Sequence, residues 1–181
     1  MMTIRKTPWR WIFLGLTLLW MGLIFGLSAA PARTSDMTSG RLVTFLQKLF
    51  FREWERLSEE DFIILIGRFT FFIRKAAHIT EFAVLGAFLS LVLMTFEKSF
   101  RFRFFVSFLT GLLYAASDEV HQLFVEGRSG SVFDVLVDAV GILIGCMFLL
   151  GISAMTAEDR RRKGKKLPEN QQNEPAEAGS R

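Results

Sequence analysis

Apolar residues in this chain gather into four long runs, at about residues 9–30, 76–96, 102–121 and 132–154, with charged residues at the ends of the runs. A helix needs about 20 mostly apolar residues to cross a hydrocarbon core of roughly 30 Å, so each run predicts a spanning helix. The first run follows a short basic segment carrying Arg5, Lys6 and Arg10. Its end, Ser28-Ala29-Ala30, resembles a signal-peptide cleavage site, but the run exceeds a typical signal-peptide core and three more spans follow, so an uncleaved anchor is predicted.

Residues 31–75 mix acids and bases and hold no clean span. Leu42, Phe45, Leu46, Leu49, Phe50, Trp54 and Leu57 recur at helical spacing, with Lys48, Arg52, Glu53 and Arg56 between them. That pattern predicts an amphipathic helix lying in the membrane interface. Ser58 followed by Asp61 reads as an N-cap opening a second helix over Phe62 to Ile73, which carries Arg68 and at about 12 residues is too short to span. A packing surface for the bundle and a platform for a substrate both fit this segment. Residues 155–181 are charged and without apolar periodicity, which predicts a disordered cytoplasmic tail.

The predicted fold class is therefore all-α: a polytopic four-transmembrane-helix bundle (residues 11–154) with an interfacial helical segment between its first two spans, preceded by a cytoplasmic N-terminus (1–10). Composition agrees, with 51% hydrophobic residues and 20 Phe among 181. The net charge of +4 lies in short clusters beside apolar runs, a membrane-orienting pattern that argues against nucleic acid as a partner. Membrane lipids are the expected surroundings. Cys146, the single cysteine, allows no intrachain disulfide and reads as a small buried filler.

Counting spans places the start of the second, the end of the third and the start of the fourth on one side of the membrane. Basic clusters at the amino terminus, at Lys98-Arg101-Arg103 and from Arg160 to Lys166 share the other side, which predicts cytoplasmic termini in a bacterial cytoplasmic membrane and an outward polar face. That face collects Asp118, Glu119, His121 and Gln122, then Arg128, Asp134 and Asp138, with Arg74, Lys75, His78 and Glu81 from the second span. Ionisable groups at the ends of apolar helices are costly and mark functional or tightly paired sites. Arg74, His78, Glu81 and Leu85 fall on one helical stripe. Tyr114, Ser117, Asp118 and His121 fall on another, and Asp134 and Asp138 on a third that continues into Gly141 and Gly145. Such a small-residue pair lets a neighbouring helix approach closely beneath the carboxylates.

Two blocks carry a family resemblance. Lys75-Ala76-Ala77-His78-Ile79-Thr80-Glu81-Phe82 with Leu85-Gly86, and Asp118-Glu119-Val120-His121-Gln122-Leu123-Phe124 with Gly127-Arg128, Asp134-Val135 and Asp138 through Gly141, resemble the motifs of the VanZ-like family of bacterial membrane proteins. That family is named for an accessory protein linked to glycopeptide (teicoplanin) resistance. The resemblance implies a four-span membrane domain and a cell-envelope role, and it supplies no established reaction. Phe82 stands where many members have Tyr, and Ser28-Ala29-Ala30-Pro31 replaces a more polar Ser-Ser-Gln-Pro type of sequence.

His78, Glu81, Asp118, Glu119, His121, Asp134 and Asp138 are the candidate catalytic residues, and Lys75, Gln122 and Arg128 the candidate ligand-binding ones. Five acids exceed the three cations Arg74, Lys75 and Arg128, so something must compensate them. A divalent metal on His78, Glu81, His121 and Asp138 is one solution, with Arg128 or Lys75 holding a phosphate or carboxylate of an envelope lipid or peptidoglycan precursor. Metal-free acid–base chemistry by carboxylates with histidine relaying protons is another. A non-catalytic binding pocket and a purely structural ion-pair network remain as alternatives.

Overall fold

The computed structural model describes residues 7–50 and 58–166, and among these the chain forms five helices and no strand. They are α1 (Thr7–Ser28), α2 (Ala32–Phe50), α3 (Glu59–Met94), α4 (Phe100–Gln122) and α5 (Val132–Lys166). Within them Pro8–Ser28, Glu59–Met94 and Val132–Asp159 are long and apolar enough to cross a membrane. The helix α4 is not among those three, since Arg101 and Arg103 at one end and Asp118 and Glu119 at the other dilute an apolar middle.

Ser58 caps α3 as expected, with its Oγ accepting the Asp61 backbone N–H at 3.2 Å. Beyond the cap the expectation of two helices, 62–73 and 76–96, is corrected: α3 is a single helix of 36 residues. At 1.5 Å per residue it is about 54 Å long, well over a bilayer's hydrocarbon. Arg74 and Lys75 mark a change of surroundings, and both are good helix formers, so backbone hydrogen bonding runs straight through them.

Another correction concerns residues 155–166, read as disordered: α5 continues through them to Lys166. Residues 1–6, with Arg5 and Lys6, and the rest of the predicted tail lie outside the described residues, as do Arg52, Glu53, Trp54, Arg56 and Leu57 of the predicted interfacial helix. Pro31 separates α1 from α2, a position where its missing N–H costs little.

The helix α3 touches each of the other four and is the axis of the fold. Its tightest partner is α5. A Cβ on Gly141 would run into the Ile79 carbonyl oxygen, one on Gly145 into that of Ala83, and one on Gly86 into that of Ile142. The small-residue stripe below the carboxylates thus brings two backbones together, the packing device of membrane helices. Around this seam Ile24, Phe82, Leu85, Leu89, Ala115, Ile142 and Cys146 form the buried core. At the bundle's far end, Arg10 Nε donates to Thr95 Oγ1 (3.4 Å) and its guanidinium lies 4.2 Å from the Phe96 ring centroid. Arg103 is buried there and donates to the Phe96 carbonyl, so both ends of α1 and α4 lie level.

Candidate functional site

At the opposite end α1 stops, α4 stops and α5 begins, all beside the middle of α3. The junction is made by polar side chains. Ser28 Oγ donates to Asp118 Oδ2 at 2.7 Å, and Gln122 Nε2 donates to the same oxygen at 3.0 Å. Gln122 Oε1 in turn accepts from Arg128 (3.3 Å), whose Nε donates to the Ala30 carbonyl (2.9 Å) and whose other terminal nitrogen donates to that of Leu27 (3.4 Å). A guanidinium presents its donors in a fixed fork, which here ties the α4–α5 loop to the end of α1.

Glycines set that loop. Gly127 has φ 73°, in the left-handed region open to glycine, and it turns the chain so that Arg128 points back over the bundle. Gly130 passes so close to the Glu119 carbonyl that a Cβ would sit 2.7 Å from its oxygen. Next to it, Glu119 Oε2 accepts the Ser131 backbone N–H at 2.8 Å, holding the start of α5.

Between α3 and α5, Lys75 Nζ pairs with Asp134 Oδ1 at 2.5 Å, and one turn deeper His78 Nδ1 lies 3.5 Å from Asp138 Oδ1. Asp138 is 1% exposed, and neither of its oxygens makes a hydrogen bond; the same holds for Asp118 Oδ1 and Glu119 Oε1. Buried acceptors left without partners are costly and rare, which sets these three carboxylates apart from ordinary helix-end pairing. Glu81, half-buried on the next turn of α3, interacts electrostatically with His78, Asp138, Asp118 and Arg128.

Two cavities open onto this network. The larger, of about 310 Å³, lies between α1, α2 and α3 and is lined by Leu27, Ser28, Ala30, Thr34, Thr38, Arg74, Ala77, His78, Glu81 and Arg128. A smaller one of about 90 Å³ lies toward α5, with Lys75, Gln122, Ser129 and Asp134 in its wall. Arg74, His78 and Arg128 line both. With Nδ1 facing Asp138, Nε2 is the ring nitrogen left to the cavities.

The two sequence blocks therefore meet, and Lys75, His78, Glu81, Asp118, Glu119, Gln122, Arg128, Asp134 and Asp138 form one connected site. His121 stands apart. Its ring stacks on Phe25 of α1, with centroids 4.1 Å apart, and its Nε2 is buried without a hydrogen bond. Ser117, expected to share the Asp118 face, is exposed and donates to the Tyr114 carbonyl. Of the metal candidates His78, Glu81, His121 and Asp138, the structure brings His78, Glu81 and Asp138 near one another and leaves His121 against Phe25. Ser28 and the α2 hydroxyls of Thr34 and Thr38 were not among the expected site residues; only the polar character of the Ser28 segment in the resembling family pointed there.

Phe82 is fully buried, packed beside Tyr114, whose hydroxyl donates to the Met21 carbonyl at 2.6 Å. The position thus belongs to the core and does not line the cavities. Comparison with known proteins finds no match among curated proteins and none among solved structures. Residues 13–153, most of the chain and all of the site, match the family model described as VanZ/LLP1. The chain, with its helices fit to cross a membrane and the two motif blocks meeting at one end of the bundle, belongs to the VanZ/LLP1 family.

Proposed function

We propose that this protein is a four-span protein of the bacterial cytoplasmic membrane, with both termini cytoplasmic, whose outward chamber binds or modifies an envelope lipid or a peptidoglycan-related ligand. The observation that carries this reading is the cavity of about 310 Å³ on which Ser28, Arg74, His78, Glu81 and Arg128 converge from three parts of the chain. Convergent polar groups in a concavity are a usual mark of a small-ligand site, and here Thr34 and Thr38 add hydroxyls to a wall whose apolar part is Leu27, Ala30 and Ala77.

The helix α4 supplies the fourth span in this reading. It runs level with α1, linked by Tyr114 to Met21 and by Asp118 to Ser28, so it crosses the same thickness. Its charges sit at its two ends, where they reach the interfaces. Arg10, Lys98 and Arg101 gather at the end away from the site, which favours that end for the cytoplasm.

In the chamber, Arg74 and Arg128 suit a phosphate or carboxylate, and His78 oriented by Asp138 is placed to accept or donate a proton. A change in the envelope ligand is the route by which such a protein would alter glycopeptide (teicoplanin) susceptibility. A deletion strain complemented with wild type or His78→Ala tests this. The expected result is a changed envelope-lipid profile in the deletion, restored by wild type and not by the variant. An unchanged profile and unchanged glycopeptide susceptibility on deletion would sink the proposal. The second reading, a structural ion-pair network, draws on the Lys75–Asp134 and His78–Asp138 pairs.

A further inference from the structure

The two cavities meet at His78, which lines both. They differ in what they admit. The larger, about 310 Å³, is at the lower end of the size of small-molecule sites, whereas the smaller, about 90 Å³, has room for a few waters and little else. Lys75, Gln122, Ser129 and Asp134 make the smaller one polar, which suits water. The imidazole thus stands with a ligand-sized space on one side and a water-sized space on the other.

Behind the ring lies Asp138. Its Oδ1 is 3.5 Å from His78 Nδ1, and although the residue is buried, neither of its oxygens receives a hydrogen bond. Asp118 and Glu119 each have one oxygen held by a donor, from Ser28 and Gln122 in the first case and from the Ser131 N–H in the second. A buried carboxylate without any donor is costly. An imidazolium at His78 would supply the missing positive partner, so the pair is arranged for a charge that His78 gains on taking a proton at Nε2.

Charge also selects the substrate. Glu81, Asp118, Glu119, Asp134 and Asp138 outnumber the three cations of the site, and each cation is already engaged. Lys75 pairs with Asp134, Arg128 is bonded to Gln122 and to two carbonyls, and Arg74 has interactions of its own. With no cation to spare, the chamber disfavours a further anion and suits an uncharged electrophile.

We propose that His78, positioned by Asp138, is the general base of a hydrolase that cleaves a neutral carboxylic ester held in the larger chamber. This rests on the ligand-binding reading of the chamber and gives it a reaction class. A water at Nε2 forms a bond from its oxygen to the ester carbonyl carbon while its proton passes to Nε2. The tetrahedral intermediate then collapses, the bond from carbon to the alcohol oxygen breaks, and the leaving oxygen takes the proton back from Nε2. Ester and water become acid and alcohol, with no change of oxidation state. Asp138 stabilises the imidazolium between the two proton transfers.

The test uses detergent-solubilised full-length protein. It would be given dioctanoyl glycerol, a neutral ester, or dioctyl phosphate, an anionic phosphodiester, with released octanoic acid or octanol counted by mass spectrometry. Binding of the non-hydrolysable diether analogue of dioctanoyl glycerol would be measured separately. Wild type is expected to release octanoic acid over many turnovers and to leave dioctyl phosphate intact. His78→Gln should lower kcat by at least about a hundredfold and still bind the diether. Asp138→Asn should lower kcat at least about tenfold with KM within about twofold, whereas a merely structural role would not confine the loss to kcat. Diether binding without octanoic acid release above the His78→Gln background overturns the hydrolase and leaves the binding reading standing. Absence of both overturns the lipid-binding reading along with it. Faster cleavage of dioctyl phosphate overturns the neutral-ester assignment, and activity lost to a chelator and regained with zinc overturns His78 as the base.

Discussion

Ser28, the last residue of α1, and Asp118, near the end of α4, share a 2.7 Å hydrogen bond with both side chains buried. The bond fastens the end of α1 to the end of α4 at the level of the site. Because Asp118 Oδ1 already lacks a partner, losing the serine would leave Gln122 as the one hydrogen-bond donor to a buried carboxylate. Ser28→Ala should therefore destabilise the protein by about 1–3 kcal/mol, the cost of stripping a partner from a buried polar group. Ser28→Thr, which keeps the hydroxyl, should recover most of it. Unfolding of the purified protein in mixed micelles measures both, and an unchanged midpoint for Ser28→Ala would show the bond to be dispensable.

The seam between α3 and α5 allows the same substitution to be made twice with opposite expectations. Gly145 packs its Cα against the backbone at Ala83, whereas a Cβ on Gly151, further along α5, meets nothing within 4 Å. Gly145→Ala forces the helices apart and should cost about 1–3 kcal/mol, as overpacking does. Gly151→Ala gains helix propensity and should be neutral or stabilising by up to about 1 kcal/mol. The two unfolding midpoints should move in opposite directions, and a parallel shift would mean that the close approach is not what holds this seam.

Hydrophobic run lengths were enough to locate α1, α4 and the start of α5, because apolar content and helix ends coincide there. They failed at α3, where Arg74 and Lys75 change the environment without breaking the helix, and at the end of α5, where charged residues continue a helix past its apolar part. Shared helical faces brought His78, Glu81, Asp134 and Asp138 together correctly, since neighbouring turns of α3 and α5 fix their depths. His121 escaped this logic. One turn from Asp118 along α4, it points to Phe25, and only tertiary packing decides which side of a helix end meets which neighbour. Ser28 was equally hidden, because a partner ninety residues away in the chain leaves no local pattern.

Glu81 and Asp138 separate a functional site from a structural network. Asp138 lies 3.5 Å from His78 Nδ1 with neither oxygen hydrogen-bonded, and Glu81 interacts electrostatically with His78, Asp138, Asp118 and Arg128. Glu81→Gln and Asp138→Asn preserve shape and remove charge, so neither should prevent insertion or folding. Membrane accumulation within about twofold of wild type is expected, with complementation of a deletion strain lost in both, on the view that costly intramembrane carboxylates are kept for function. Loss of accumulation in both variants would instead assign these acids to holding the helices together.

The orientation of the site follows from one labelling experiment. Ser129 is exposed in the loop above the cavities, whereas the native Cys146 is fully buried in the core, its Sγ 3.5 Å from the Gly86 carbonyl oxygen. Wild type should therefore resist a membrane-impermeant thiol reagent on intact cells, and Ser129→Cys should react readily. The proposed topology, with the opposite end of the bundle and its basic residues Arg10, Lys98 and Arg101 in the cytoplasm, predicts this labelling from outside. Labelling of Ser129→Cys confined to lysed cells would reverse the topology and put the chamber on the inner face, where an envelope ligand would have to be met before export.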